Sequence, residues 1–309
     1  PGAILFFRLG DFYEMFGEDA RAAAPLLGLV LTQRQGIPMC GIPAHAAAGH
    51  LSKLLKAGRK VAIADQVEDP ALAKGLVKRA VTRVMSPGTV VEDALLDPAS
   101  FNYLAALEIS GEGWGLAAAE ISTGRFDAWE LGRDPGFHRL SETLARLAPT
   151  ELLLLHGAAE HPEAKACVPA GTLLTLCDPS LKPLMGGHHL DSGLGEGLGK
   201  FPLAQMAAGA VRAYVAENEP LLALAAPVLR PFAGRLELDA TAIRTLELTC
   251  SGEGDPAKSL WGVLDRCRTA MGRRLLKEWV LSPLTDLAAI LGRQARVASL
   301  VEDAAAREG

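Results

Sequence analysis

The sequence predicts an α/β chain of several domains: a mixed α/β unit, a second unit of sheet and helix, and the start of an all-helical one. Three observations carry this. Over residues 1–92, short apolar runs of strand character alternate with amphipathic helical stripes. Between residues 101 and 155, three short strands separated by Gly-containing turns are followed by a helix and another strand. From Pro202 onward the apolar period is helical. A length of 309 residues agrees with two or three domains, taken here as 1–92, 101–231 and 232–309, the last boundary resting on the resemblance given below.

In the first unit, strands are expected at residues 4–9, 27–32, 60–66 and 80–86, with helices at about 11–24 and 46–57. The first helix is predicted because Tyr13, Phe16, Ala20, Ala23 and Leu27 fall on one stripe after Gly10-Asp11. Phe12 lies about 100° from that stripe and Glu14 further round. In a regular helix Phe12 and Glu14 would diverge by about 200°, so they could serve one ligand only at the strand-to-helix junction, where the backbone is not yet helical. An aromatic beside a carboxylate at such a junction is a candidate contact point. The second helix ends on Lys53 and Lys56 followed by Gly58, a clear stop.

Around residues 93–100 the chain turns polar, with Asp97-Pro98, and reads as a linker. Strands follow at 103–109, 115–121 and 125–131, separated by Gly111-Glu112-Gly113 and Ser122-Thr123-Gly124. A helix at 138–147 and a buried strand at 151–155 complete the pattern. Residues 157–202 read as a flexible loop. Gly186-Gly187-His188-His189 lacks further local metal ligands, and Lys200 lacks the first glycine of a phosphate loop and precedes Phe201. His45 and His50, five apart, miss the four-residue spacing of a helical metal pair. Helices are expected at 203–217, 221–224, 240–249, 260–266, 271–281 and 287–301, with Asp239 and Asp286 as N-caps.

Hydrophobic residues make up 49% of the chain, enough for real cores, and its 32 glycines and 19 prolines are dispersed. Cys40, Cys167, Cys177, Cys250 and Cys267 are odd in number, widely spaced and free of any C-x-x-C, which argues against a disulfide framework or zinc and for a reducing cytoplasm. No apolar run approaches the roughly 18 residues of a membrane span. The formal charge of −5 is uneven: residues 1–97 hold 11 basic and 10 acidic side chains, 98–231 hold 9 and 15, and 232–309 hold 11 of each. A protein gripping duplex mainly by phosphate neutralisation would show a basic domain. This chain shows none: no segment has a net charge above +1.

Several blocks carry a resemblance. Gly10-Asp11-Phe12-Tyr13-Glu14-Met15-Phe16 is followed by Gly41-Ile42-Pro43-Ala44-His45-Ala46, Ala64-Asp65-Gln66-Val67-Glu68-Asp69-Pro70 and Val84-Met85-Ser86-Pro87-Gly88-Thr89. Glu120-Ile121-Ser122-Thr123-Gly124-Arg125-Phe126 and residues 238–248 come later in the same order. Together they resemble the MutS family of DNA mismatch repair proteins. The resemblance implies an N-terminal fragment: a mismatch-recognition domain, a connector domain of ribonuclease H-like fold, and the start of a helical core. The short turn Gln35-Gly36 and Ala44, where many members carry an aromatic, depart from the family pattern.

The family implies that Phe12 enters the minor groove and stacks on a mispaired base while Glu14 hydrogen-bonds to it. Wedge insertion costs least where pairing and stacking are already weakened, so specificity would come from deformability. The carboxylate repels the phosphates and weakens binding to intact duplex, a cost offset only by a base hydrogen bond. Leu9, Arg34, Arg79 and Arg83 match positions near the DNA. The implied ligand is double-stranded DNA with mispairs or small loops, and no metal is implied for this chain. ATP and Mg²⁺ belong to the full-length parent, a homodimer whose connector meets a MutL-type partner. This fragment would not hydrolyse ATP. Two alternatives stand beside this reading: a Mg²⁺-dependent nuclease using Glu108, Glu120 and Asp127, whose strand positions do not converge, and a paralogue that no longer reads mismatches.

Overall fold

The computed structural model describes residues 2–67, 78–92, 95–97, 99–111, 113–177, 198–219, 222–236 and 238–303. The block Glu68-Asp69-Pro70, Glu112, the Gly-His run at 186–189 and most of the glycine-rich run before Lys200 lie outside these residues.

The chain opens with an antiparallel hairpin, β1 (Ala3–Leu9) and β2 (Phe12–Phe16), in which Leu9 pairs with Phe12, Arg8 with Tyr13 and Phe7 with Glu14. Gly10, at φ +58°, supplies the left-handed conformation that a two-residue turn matched to strand twist requires. This corrects the helix expected from residue 11: α1 runs Gly17–Leu27. Tyr13 and Met15 are buried with period two. The backbone of β2 is satisfied on both sides, by β1 and by β4 (Ile37–Pro43).

The strand expected at 27–32 is also corrected. Leu27 closes α1 against the left-handed Gly28, and the next strand is β3 (Thr32–Arg34). A turn with positive φ at both Gln35 and Gly36 then leads into β4, which the sequence reading missed. Helix α2 (Ala47–Lys56), β5 (Lys60–Gln66) and β6 (Arg79–Met85) complete a six-stranded sheet of order β3-β4-β2-β1-β5-β6. Helices α1 and α2 share one core with the inward face of this sheet, including Phe6, Met15, Ile42, Leu54 and Val61.

The second sheet is built on a meander of β7 (Tyr103–Ser110), β8 (Gly113–Glu120) and β9 (Arg125–Leu131). Helix α3 (His138–Leu147) leads to β10 (Glu151–Leu154), parallel to β7. The segment expected to be loop instead holds α4 (His156–Ala159), α5 (Pro162–Ala166) and β11 (Leu173–Leu176), parallel to β10. After α6 (Pro202–Asn218), β12 (Val228–Leu229) joins parallel to β9, giving the order β11-β10-β7-β8-β9-β12.

Helix α6 covers one face of this sheet and α3 to α5 the other, each over its own apolar cluster. The α6 contact is built from small residues: Ala204, Ala207 and Ala208 meet Ala117 and Ala119. At Gly115 an added Cβ would lie 2.1 Å from the backbone of Leu203. Glu130 accepts the Ala204 N–H at 2.8 Å, satisfying a free donor in the first turn of α6.

The two sheets are pinned by Glu151, fully buried at the start of β10. Its carboxylate accepts from Ser86 Oγ, from the Gly88 N–H at 3.2 Å, from Thr175 Oγ1 at 2.7 Å and from Tyr214 OH at 2.8 Å. Lys60 Nζ stands 3.3 Å away. Lys60, Ser86 and Gly88 belong to the first sheet and the turn after it; Thr175 and Tyr214 belong to the second unit. Burial together with Glu151 pushes the Tyr214 hydroxyl well above the ordinary tyrosine range.

The last segment is helical: α7 (Ala240–Thr245), α8 (Leu260–Leu264), α9 (Ala270–Leu281) and α10 (Leu287–Glu302). Asp239 accepts from the Ala242 N–H and Asp286 from the Ala289 N–H, as N-caps do. Helices α7 and α8 stop short of their expected ends, and residues 222–224 are not helical. Arg125 on β9 holds Glu278 of α9 through two bonds, of 2.6 and 3.2 Å. No helix among the described residues is long and apolar enough to cross a membrane.

Candidate nucleic-acid interface

Because β2 is a strand, Phe12 and Glu14 stand two residues apart on one face, opposite the buried Tyr13 and Met15. The 200° divergence of a helix therefore does not arise. Phe12 follows the tight turn and is 49% exposed. It is flanked across the ladder by Leu9 on β1 and Pro43 on β4. Directly paired residues point to the same side of a sheet, so these two form an apolar rim beside the ring. Glu14 pairs with Phe7 on one side and Gly41 on the other.

The strand beneath the pair is firmly held. Tyr13 donates to Asp65 Oδ1 at 2.9 Å, stacks near Phe6 with ring centroids 5.8 Å apart, and lies under the Arg8 guanidinium at 5.2 Å. Burial, reinforced by Asp65, raises the Tyr13 hydroxyl pKa, so it remains a donor.

Of the basic residues singled out, two join this face. Arg34, on the edge strand β3, donates to Glu14 Oε2 at 3.1 Å. Arg79, on β6 at the other edge, lies over the Phe7 ring at 5.4 Å and donates from Nε to the Arg8 carbonyl at 2.7 Å. Leu9, Phe12, Glu14, Arg34 and Arg79 thus surround one surface, with Phe7 at its centre. Phe7 was not singled out from sequence, although its two-residue spacing from Leu9 was a signal for it.

Arg83 is engaged elsewhere. Its guanidinium binds Glu92 and Glu219, the latter at the end of α6. These hydrogen bonds outweigh the cost of burial and raise its pKa further. It ties β6 to the end of α6 and to Glu92.

The three carboxylates considered for metal chemistry each have local partners. Glu108 accepts from the Ile109 and Gly157 N–H groups, both at 3.0 Å. Glu120 accepts from Ser122 Oγ at 2.7 Å and from the Thr123 N–H at 2.8 Å. Asp127 is held between Arg125 and Arg230, each at 2.6 Å. Among the described residues no group of three or more His, Cys, Asp or Glu stands where a metal ion could be held. The five cysteines are free thiols, and burial pushes the Cys40 thiol pKa up.

Residues 1–94 match the family model of MutS domain I, and residues 241–309 match that of MutS domain III. The chain is similar to the DNA mismatch repair protein MutS of Symbiobacterium thermophilum, 41% identical over 321 residues, covering 97% of this chain and 36% of that protein. The MutS of Desulfitobacterium hafniense is 42% identical over 313 residues, 98% of this chain and 35% of its own. That of Myxococcus xanthus is 38% identical over 310 residues, 95% of this chain and 34% of its own. The chain spans about a third of the length of these curated relatives. With both ends matching MutS domains and the intervening sequence aligned throughout, the chain belongs to the MutS family.

Proposed function

We propose that this chain serves DNA mismatch repair by binding DNA, and that its first sheet reads mispaired bases. Phe12 is the wedge and Glu14 the hydrogen-bond acceptor for the displaced base. The single observation that supports this is the placement of an exposed ring and a carboxylate side by side on one face of a strand, just past a tight turn. A half-exposed phenylalanine on a rigid hairpin can leave the protein surface without unfolding anything. Arg34 offsets the charge of Glu14 and so eases its approach to the phosphates. The preference for defective duplex arises because unstacking a weakened step costs less than unstacking an intact one.

The remaining roles rest on family membership. The second sheet is read as a ribonuclease H-like connector, a reading supported by an antiparallel meander extended by parallel strands at both edges. It would relay the state of the DNA to an ATP- and Mg²⁺-dependent dimer and to a MutL-type partner, with no ATP hydrolysis by this chain itself.

The test is fluorescence anisotropy at low ionic strength with a mispaired and a matched duplex of otherwise identical sequence. Base–aromatic stacking contributes about 1–3 kcal/mol, so Phe12→Ala should lower mispair affinity by roughly 5- to 150-fold and erase the preference. Glu14→Gln should raise affinity for matched duplex while narrowing the ratio. An unchanged mispair-to-match ratio in Phe12→Ala removes the wedge assignment.

A further inference from the structure

Where the second sheet meets the helical segment there is a cavity of about 500 Å³, lined by Arg125, Arg146, Arg230 and Arg235 together with Trp129 and Glu278. Its charges do not balance. Asp127 is shared by Arg125 and Arg230, each at 2.6 Å, and Glu278 takes two bonds from Arg125 while Arg235 stands 3.7 Å from it. Among the described residues, four guanidinium groups are thus served by two carboxylates.

Arg146 is the group left over. It is partly buried, lies over the Trp129 ring at 5.7 Å, and has no hydrogen-bond acceptor among the described residues. Burial, with Arg235 and Arg125 as like-charged neighbours, holds its pKa below the ordinary arginine value. A partly desolvated guanidinium without an acceptor is costly, and charges removed from water are ordinarily paired. Among the described residues a surplus of two positive charges thus lines one concave site, which calls for a compact dianion.

We propose that this cavity is a binding site for the phosphate dianion of a small ligand, of the phosphomonoester or pyrophosphate class. The planar fork of arginine matches phosphate oxygens two at a time, and such charge-assisted bonds are the strong ones. The volume falls within the range of small-molecule sites. A DNA backbone offers singly charged diesters along an extended track, a poorer match to surplus charges gathered in one concave site. The walls come from both units: Arg125 and Arg146 from the sheet and α3, Glu278 from α9. A bound dianion would therefore brace the helical segment against the second sheet. Nothing in this depends on the mismatch reading, and Phe12→Ala should leave it unchanged.

The test is isothermal titration of the full chain with inorganic pyrophosphate and with inorganic phosphate, beside thermal unfolding in their presence. The expected result is saturable one-to-one binding of both probes, the phosphate dianion more weakly than the more highly charged pyrophosphate, each raising Tm and weakening with added salt. Loss of one charge-assisted bond should weaken binding about tenfold or more in Arg146→Gln and in Arg235→Gln. Arg235 is substantially exposed, so that variant carries the test if Arg146→Gln fails to fold. The proposal is overturned by absence of saturation at millimolar pyrophosphate with folded protein, or by wild-type affinity in a folded variant. It is also overturned if these variants weaken duplex DNA binding as strongly as pyrophosphate binding, which would assign the site to the nucleic-acid backbone.

Discussion

Replacing Glu151 with alanine removes one acceptor from five donors at the joint between the two sheets. Ser86 can turn to Thr89 Oγ1, 3.2 Å away, and Lys60, whose side chain is 22% exposed, can reach water. Tyr214 and the Gly88 N–H have no such recourse. Removing one partner of a buried pair costs about 3–5 kcal/mol, and the orphaned donors overlap with that figure instead of adding to it. At roughly 2–4 °C per kcal/mol for a cooperative unit of this size, Tm should fall by about 6–20 °C. Glu151→Gln keeps the volume and one acceptor oxygen but turns an amide donor toward other donors, so it should lose about 2 kcal/mol. Circular dichroism against temperature and urea measures both. The transition of Glu151→Ala should also split, because the pin between the sheets is gone. A loss below about 1 kcal/mol in that variant would refute the claim that this carboxylate holds the joint.

Three further outcomes follow from the same geometry. Phe12→Ala should change Tm by no more than about 1–2 °C, since surface truncations usually stay within 0.5 kcal/mol; calorimetry on the variant checks it. Gly115→Ala should cost at least about 3 kcal/mol or block folding, because the new methyl meets the α6 backbone and no flexible side chain can yield; soluble yield and urea midpoints report it. Burial raises the Glu278 pKa, but the hydrogen bonds and charge of Arg125 outweigh it and leave the carboxyl below the ordinary range. Its stabilising contribution is therefore present above the unfolded value of about 4.3 and is lost as pH falls through the lower folded value. Acid unfolding of Glu278→Gln should show a flatter limb than wild type.

What sequence could and could not reveal follows from the range of the interactions. Helix α3 begins and ends where its periodicity places it, and Asp239 and Asp286 cap as expected, because these signals lie within a few residues of the element they control. Residues 12–16 misled because Tyr13, Phe16 and Ala20 satisfy a helical stripe while Tyr13 and Met15 satisfy a strand. The choice is made by pairing with β4, more than twenty residues on. The motif pointed to Phe12 and Glu14 but not to their shared orientation, which required that strand. The fate of Arg83 was hidden for the same reason: its partner Glu219 lies 136 residues away. Glu151 is, in sequence, only the first residue of an expected buried strand, and the packed joint shows its role.

A ring and a carboxylate mounted on a strand that is laddered on both flanks keep a fixed spacing, about 6.6 Å for two residues of pleat. Under the proposed reading such a pair would act as a calliper whose jaws do not adjust. Compliance would then have to come from the duplex, and the defects noticed would be those whose local softness lets the helix open by that interval. An inserted residue in β2 would accordingly alter which lesions are registered before it altered how firmly any of them is held.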